Sequence, residues 1–375
     1  MHILIAALHR PTKPTGVCRH AANLAKCLAD NEKISQITLV IGAWQKDYFE
    51  KTFSLTSEKI KIVTIDIKNS SIARNIWFLF GLPKLAKQIN CDRVHLSFPL
   101  PFIRLLFSYP VVATIHDLYP YEYPENFGYP NVIFNQLFLQ QCINNSNGLT
   151  CVSNKTLECL EYYFPDLKNS KKITNVVYNY VDFSDVTPKV PKNANNNIEA
   201  PFLLSVAQHR KNKNLDILIK AYSLLSDQHQ LKDSTKLIIV GSYGPETENI
   251  KSLIQTLNLH QQVILLSSIE DEELCWLYKN CELFVIPSST EGFCFPLVEA
   301  LSLSCKVVCS DIPILREVGS STCHYFDLKH DPIKNLSDSI ASILSQPPTK
   351  TSFVDSRFFK SNIAQQYLEF YNLVR

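Results

Sequence analysis

The amino-acid sequence predicts an α/β protein built from two doubly wound, Rossmann-like domains facing a cleft. Three observations carry that expectation. The chain has 375 residues, too many for one small core at about 150 residues per domain. Short β-branched runs alternate with longer amphipathic segments, the pattern of parallel strands joined by covering helices. Between residues 185 and 200 that alternation stops, and afterwards it restarts.

Ile3 to Leu8 reads as the first strand and Val17 to Ala29 as the helix that returns the chain. Strands are predicted at Ile37 to Ile41 and Ile60 to Ile67, followed by an amphipathic segment from Ile72 to Ile89. Val111 to Ile115, a helix over Asn131 to Asn144, Leu149 to Val152 and a run from Ile173 to Val181 complete a first domain, residues 1–184. Pro188, Pro191 and the run Asn195-Asn196-Asn197 make residues 185–200 a linker. A second domain, residues 201–350, repeats the grammar with runs at Phe202 to Val206, Leu237 to Val240, Val263 to Leu266, Leu283 to Ile286 and Val307 to Val308. Phe358, Ile363, Tyr367, Phe370 and Leu373 have helical spacing, so residues 351–375 are expected to close the structure as a helical segment. Open parallel sheets bind ligands beyond their C-terminal strand ends, which directs attention to the cleft.

Hydrophobic residues make up 46% of the chain and charged residues 19%, which separates it from the disordered class. The formal net charge of +2 supplies no field for a nucleic-acid backbone, so no nucleic-acid partner is expected. The 12 cysteines contain no C-x-x-C pair, which argues against zinc sites and redox dithiols and for reduced, buried thiols. The N-terminus lacks a cationic leader, which predicts a cytoplasmic protein. The longest apolar stretch, Leu96 to Ala113, is broken by Pro99, Pro101, Arg104 and Pro110, so it does not read as a membrane span. The stretch from Arg74 to Phe80, followed by Lys84 and Lys87, suits peripheral contact at the inner face of a membrane; a core-facing helix is the simpler reading.

Nine glycines occur where average usage of about 7% would give roughly 26, so each surviving one marks a place where glycine is more often required. Neither a G-x-G-x-x-G fingerprint nor a G-x-x-x-x-G-K-[ST] loop is present, which counts against dinucleotide cofactors and P-loop chemistry. The strongest local signal runs from Pro287 to Ala300 after a predicted strand. Glu291 precedes Gly292 there, a carboxylate suited to sugar hydroxyls beside a residue that lets backbone amides approach a ligand. Pro296 is placed as the first helical residue, which sets Glu299 in the first turn, where a carboxylate also complements the helix dipole.

The second constellation is Gln208 to Asn214. Arg210 and Lys213 stand at the positive end of a helix, against the local rule. Either they are a solvated basic loop with Asn212 or Asn214 capping the helix, or they form, with the helix amides, a diphosphate site. In the first domain Thr15-Gly16 makes a glycine turn at a helix start, and His116-Asp117 ends a strand. The aromatic segment Tyr119 to Tyr129 suits amphipathic ligands such as carbohydrate, or simple loop packing.

Taken in order, these pieces resemble the family-four retaining glycosyltransferases, the large group with the GT-B fold. The spacing of Glu291 through Glu299 matches their E-x7-E motif, with further matches at His116-Asp117-Leu118, Lys213-Asn214-Leu215, Val240-Gly241-Ser242, Leu277-Tyr278, Ser310-Asp311-Ile312-Pro313 and Arg316-Glu317-Val318. The resemblance implies a nucleotide-sugar donor held by the second domain, a glycan or glycolipid acceptor held by the first, and hexosyl transfer of mannose or glucose type. Glu291 would contact the donor sugar, with the amides of Phe293 and Cys294 near the sugar or diphosphate. Glu299 would hold the ribose, Arg210 and Lys213 would neutralise the diphosphate, Gly16 would open the first domain's loop to it, and His116 would lie beside the reacting sugar. No metal and no cofactor is implied.

Three positions depart from the family pattern: Cys294 stands where glycine is common, Ser304-Cys305 replaces a small-residue pair, and Gln208 replaces a phosphate-binding arginine. They motivate the alternative of a non-catalytic nucleotide-sugar-binding subunit. A dehydrogenase or epimerase is the third reading, weakened by the absent dinucleotide fingerprint.

Overall fold

A computed structural model of the chain describes residues 1–126, 129–181, 183, 186–192, 198, 201–267, 269–346 and 355–375. The chain divides into two compact units, one formed by Met1–Tyr180 with Asp355–Arg375 and the other by Val181–Val354. Of the predicted linker, residues 185, 193–197, 199 and 200 lie outside the described residues, as do Phe127 and Gly128 of the aromatic segment and residues 347–354. The described part of the linker is anchored within the second unit, where the Lys189 N–H donates to the Glu272 carbonyl and the Lys192 N–H to Glu273 Oε1.

Seven parallel strands build the first unit: β1 (His2–Ala6), β2 (Gln36–Gly42), β3 (Ile60–Ile65), β4 (Arg93–Leu96), β5 (Val111–Ile115), β6 (Gly148–Cys151) and β7 (Ile173–Val176). Their order across the sheet is β3-β2-β1-β4-β5-β6-β7. Alternation along β1 sorts its side chains. Ile3 and Ile5 join the core under the helices Gly16–Ala29 and Lys360–Leu373, while Leu4 and Ala6 join the core under the helices Leu82–Ile89 and Asn131–Asn145. The C-terminal helix therefore completes one face of the first sheet.

The amphipathic segment at 72–89 forms a helical run over Ser71–Ile76, a π turn at Trp77–Gly81 and Leu82–Ile89. Arg74, Phe78, Leu82 and Ala86 turn inward, and Ile72, Ile76 and Phe80 turn outward. The run at Ile173 to Val181 ends as a strand at Val176, because β6 supplies ladder partners only that far. Strand β4, which sits beside β1, is not among the sequence-predicted strands; its His95 breaks the apolar pattern yet is fully buried.

The second unit has six parallel strands: β8 (Phe202–Val206), β9 (Lys236–Val240), β10 (Val263–Leu266), β11 (Leu283–Ile286), β12 (Val307–Ser310) and β13 (His324–Phe326), in the order β10-β9-β8-β11-β12-β13. Both sheets are doubly wound, and each reverses its order beside its first strand: β1 against β4, and β8 against β11. No disulfide joins any of the twelve cysteines, and eleven of them are buried. Among the described residues no helix is long and apolar enough to cross a membrane.

Candidate active site

In the second unit the loops that leave β8 and β11 flank the reversal point of the sheet. They are tied together residue by residue. The Ser289 N–H donates to the Asn212 carbonyl at 2.9 Å, Asn212 Nδ2 donates to the Thr290 carbonyl at 3.2 Å, and Asn214 Nδ2 to the Pro287 carbonyl at 2.8 Å. Asn214 adopts a left-handed conformation ahead of the helix Leu215–Asp227 and makes no side-chain cap. The two asparagines thus lace the loops together, and the sequence-level capping role is corrected accordingly.

This lacing brings two predicted site residues into contact. Lys213 Nζ lies 2.6 Å from Glu291 Oε1, which also accepts from Ser288 Oγ at 2.8 Å. The pair is largely sheltered, with side-chain exposures of 18% and 13%. Ser310, at the end of β12, donates its hydroxyl to the Ser288 carbonyl and fixes the loop from the other side. Arg210 lies just before the 3-10 turn Lys211–Lys213 and is exposed.

Cys294 has φ 70°, in the left-handed region that disfavours a side chain. This explains, in backbone terms, why glycine suits the position. Ser304 has φ 63° for the same reason at the end of the motif helix. The turn at Cys294 starts the helix at Phe295, one residue before Pro296, so Glu299 is its fifth residue and lies beyond the first turn. The dipole reading of Glu299 is replaced by a hydrogen bond: the Tyr278 hydroxyl donates to Glu299 Oε2 at 2.9 Å, and Glu299 is 3% exposed. Burial, then the Glu299 carboxylate, push the Tyr278 phenol well above its usual value. Burial and then Glu291 raise the Cys294 thiol, with Lys213 opposing and Glu299 adding, so all four groups share one local field. Phe293 beside them is buried, packed edge-on against Phe295 at 5.4 Å, and Gly292 links it to Glu291.

The loop after β9 closes against this region. A Cβ on Gly241 would lie 1.9 Å from the Ala207 carbonyl oxygen, a distance no side chain tolerates. Its neighbour Thr247 accepts the Gly244 N–H at 2.8 Å and bonds His209 Nδ1 at 3.1 Å.

In the first unit Gly16 is the first residue of its helix, and Thr15 caps it by accepting the Cys18 N–H. His116 follows β5 and donates from Nε2 to the Ser97 carbonyl at 2.7 Å. His20, carried by the Gly16 helix, stands edge-on to His116 at 4.7 Å and bonds Asn179 Oδ1 at 2.6 Å. Burial holds His116 below its usual 6.5, opposed by the Ser97 carbonyl and Asp117. His20 is depressed further by burial and then by His116. These imidazoles are neutral near pH 7, so His116 presents a polar but uncharged surface.

Residue composition alone missed Ser288, Asn179 and the stitching role of the two asparagines, because hydroxyls and amides carry no spacing signature. Tyr278 was visible only as part of a family match.

The chain is similar to known proteins over nearly its whole length. The family described as Glycosyltransferase Family 4 matches residues 14–185, and that described as Glycosyl transferases group 1 matches residues 187–356. The chain belongs to the family-four glycosyltransferases. This glycosyltransferase is 24% identical over 347 residues to the O-antigen chain mannosyltransferase RfbU of Salmonella typhimurium, covering 90% of each chain. It is 34% identical over 152 residues to an N-acetylgalactosaminyltransferase of Campylobacter jejuni whose name specifies a diphospho-undecaprenol-linked sugar, covering 40% of this chain and 39% of that protein. Among solved structures it resembles Anabaena HepE in complex with UDP and glucose, with a TM-score of 0.68 at 18% identity over 99% of each chain. The shared architecture is GT-B.

Proposed function

We propose that this glycosyltransferase moves a hexose of mannose or glucose type from a nucleotide sugar to a glycan or glycolipid acceptor, with retention and without a metal ion, in polysaccharide or lipopolysaccharide synthesis. The observation that carries the reading is the Lys213–Glu291 pair laced across the reversal point of the second sheet, in one field with buried Glu299. A lysine ammonium has three N–H donors. One is used by Glu291, which leaves Lys213 able to donate to a phosphate oxygen while Glu291 accepts sugar hydroxyls.

In this account Arg210 adds the second positive charge, the amides of Phe293 and Cys294 approach the diphosphate, and Glu299, held by Tyr278, accepts the ribose hydroxyls. Stabilising the departing nucleoside diphosphate is the main catalytic work, and fixed cations and amides supply it. Gly16 and neutral His116 belong to the acceptor side, His116 beside the reacting sugar. The leaving phosphate takes the acceptor's proton as the new glycosidic bond forms on the same face. The mannosyl-transfer and diphospho-undecaprenol chemistry in the relatives' names supports the choice of sugar and acceptor.

A cytoplasmic protein working at the inner face of a membrane fits the outward stripe of Ile72, Ile76 and Phe80, which are 75%, 55% and 58% exposed, with Lys84 and Lys87 exposed beyond it. The test is a panel of nucleotide sugars mixed with the full chain and a lipid-linked acceptor. Release of nucleoside diphosphate from one donor supports the proposal, and failure of every donor to bind or turn over refutes it.

A further inference from the structure

The first unit contains a buried guanidinium that no carboxylate among the described residues neutralises. Arg74 is 8% exposed. Its five N–H donors meet only two acceptors among the described residues, Asn69 Oδ1 and Ser71 Oγ, and both are neutral. Buried charges in proteins are ordinarily paired, since an unpaired one keeps its full desolvation cost. Here the neighbourhood adds to that cost. Asn69, which accepts from Arg74, donates through Nδ2 to the Arg10 carbonyl at 3.0 Å, so one side chain ties both arginines. The Arg10 guanidinium is near enough to lower Arg74's hold on its proton, second to burial.

The place is a rigid one. His9 and Arg10 follow β1, at the reversal point of the first sheet. The His9 N–H donates to Gln45 Oε1 and its carbonyl accepts from Trp44 Nε1, each at 2.9 Å. The His9 ring packs edge-on against Phe98 at 4.7 Å, and its Nδ1 has no partner among the described residues. Burial, then Arg74, then His116 hold His9 down to about 4. His9 therefore feels the charge of both Arg74 and His116.

We propose that Arg74 and Arg10 bind an anionic group, a phosphate or a carboxylate, carried by the acceptor, with His9 between that anion and His116. The assignment rests on the reading that the first unit holds the acceptor. It goes beyond that reading by fixing the acceptor's charge and the residues that select it.

The test is thermal unfolding of the full chain titrated with inorganic phosphate, for the wild type, Arg74→Met, Arg10→Ala and Lys213→Ala. Phosphate is expected to raise the melting temperature of the wild type and of Lys213→Ala, and to bind at least about tenfold more weakly to Arg74→Met and Arg10→Ala. Without phosphate, Arg74→Met should melt no lower than the wild type, because it removes an unneutralised charge; a purely structural arginine would give a lower value and leave the phosphate effect intact. Should Arg74→Met fail to fold, Arg10→Ala on the exposed loop decides alone. No phosphate effect on the wild type, or an undiminished effect in Arg10→Ala, overturns the site. Geranyl diphosphate and methyl glucuronide then separate the sources: displacement of phosphate by the first assigns a prenyl diphosphate, by the second a sugar carboxylate, and by neither overturns the assignment to an acceptor. Nucleoside diphosphate binding to Arg10→Ala scores the donor reading separately, since it should equal the wild type whatever phosphate does.

Discussion

The two units place their candidate sites at the same topological position and furnish them in opposite ways. At the β8–β11 reversal the second unit sets carboxylates, each already engaged: Glu291 by Lys213 and Ser288, Glu299 by Tyr278. At the β1–β4 reversal the first unit sets neutral imidazoles and a buried arginine whose acceptors among the described residues are all neutral. The difference teaches that a shared fold fixes where ligands bind, while local side chains decide what they are. Engaged carboxylates suit hydroxyl-rich sugar and ribose. An unneutralised cation calls for an anion.

Breaking the second unit's pair should produce the largest effect. Lys213→Ala and Glu291→Gln are each expected to cut turnover by at least about tenfold, equivalent to roughly 1.4 kcal/mol of barrier. Because the two groups touch, the double variant should lose less than the product of the single losses, which steady-state kinetics on all four proteins will show. Fully multiplicative losses would mean the two act independently, against the geometry.

Acid should separate the units next. Burial holds His9 to about 4 and His95 to about 3, and depresses His20 and His116 as well. The unfolded chain takes up these protons near pH 6.5 and the native chain only at lower pH. Stability is therefore unaffected above 6.5 and is lost as pH falls from 6.5 towards those values, by about 1.4 kcal/mol per pH unit for each imidazole in its window. In the second unit burial depresses His209 and His324. Hydrogen exchange followed from about pH 7 to 4 should show the first unit loosening before the second; equal loosening contradicts the contrast.

Much of this contrast was legible in the sequence, for reasons that differ by residue. The βα alternation is a direct print of hydrophobic burial, so most strands fell where expected. Strand β4 did not, because His95 is made tolerable in the core by hydrogen bonds to Tyr371 and Thr114, and Tyr371 lies 276 residues away. Glu291 and Lys213 were found through motif and broken helix-end logic, but their mutual contact depends on Asn212, Asn214 and Ser289 bonding across 73 to 78 residues. Arg74 belongs to a stretch that reads as a core-facing helix or as peripheral membrane contact; which face it takes is shown only by the four-residue alternation of inward and outward side chains in the folded helix, where it turns inward.

Smaller effects refine the second unit. Cys294→Gly removes a left-handed non-glycine residue and should raise stability by about 1 kcal/mol without loss of donor affinity, measured by denaturant unfolding and nucleotide titration. A loss of affinity would show that the thiol contributes to the site. Smallest of all, EDTA should leave turnover unchanged; activity lost to chelator and restored by manganese would reject metal-independent transfer.

The most direct test of the central claim is calorimetric titration of the full chain with a panel of nucleoside diphosphates and their sugars, repeated on Arg210→Ala and Lys213→Ala. Selective binding of one nucleotide, weakened in both variants, is the predicted result. Binding of that nucleotide with unchanged affinity in both variants, or no binding of any, would contradict it.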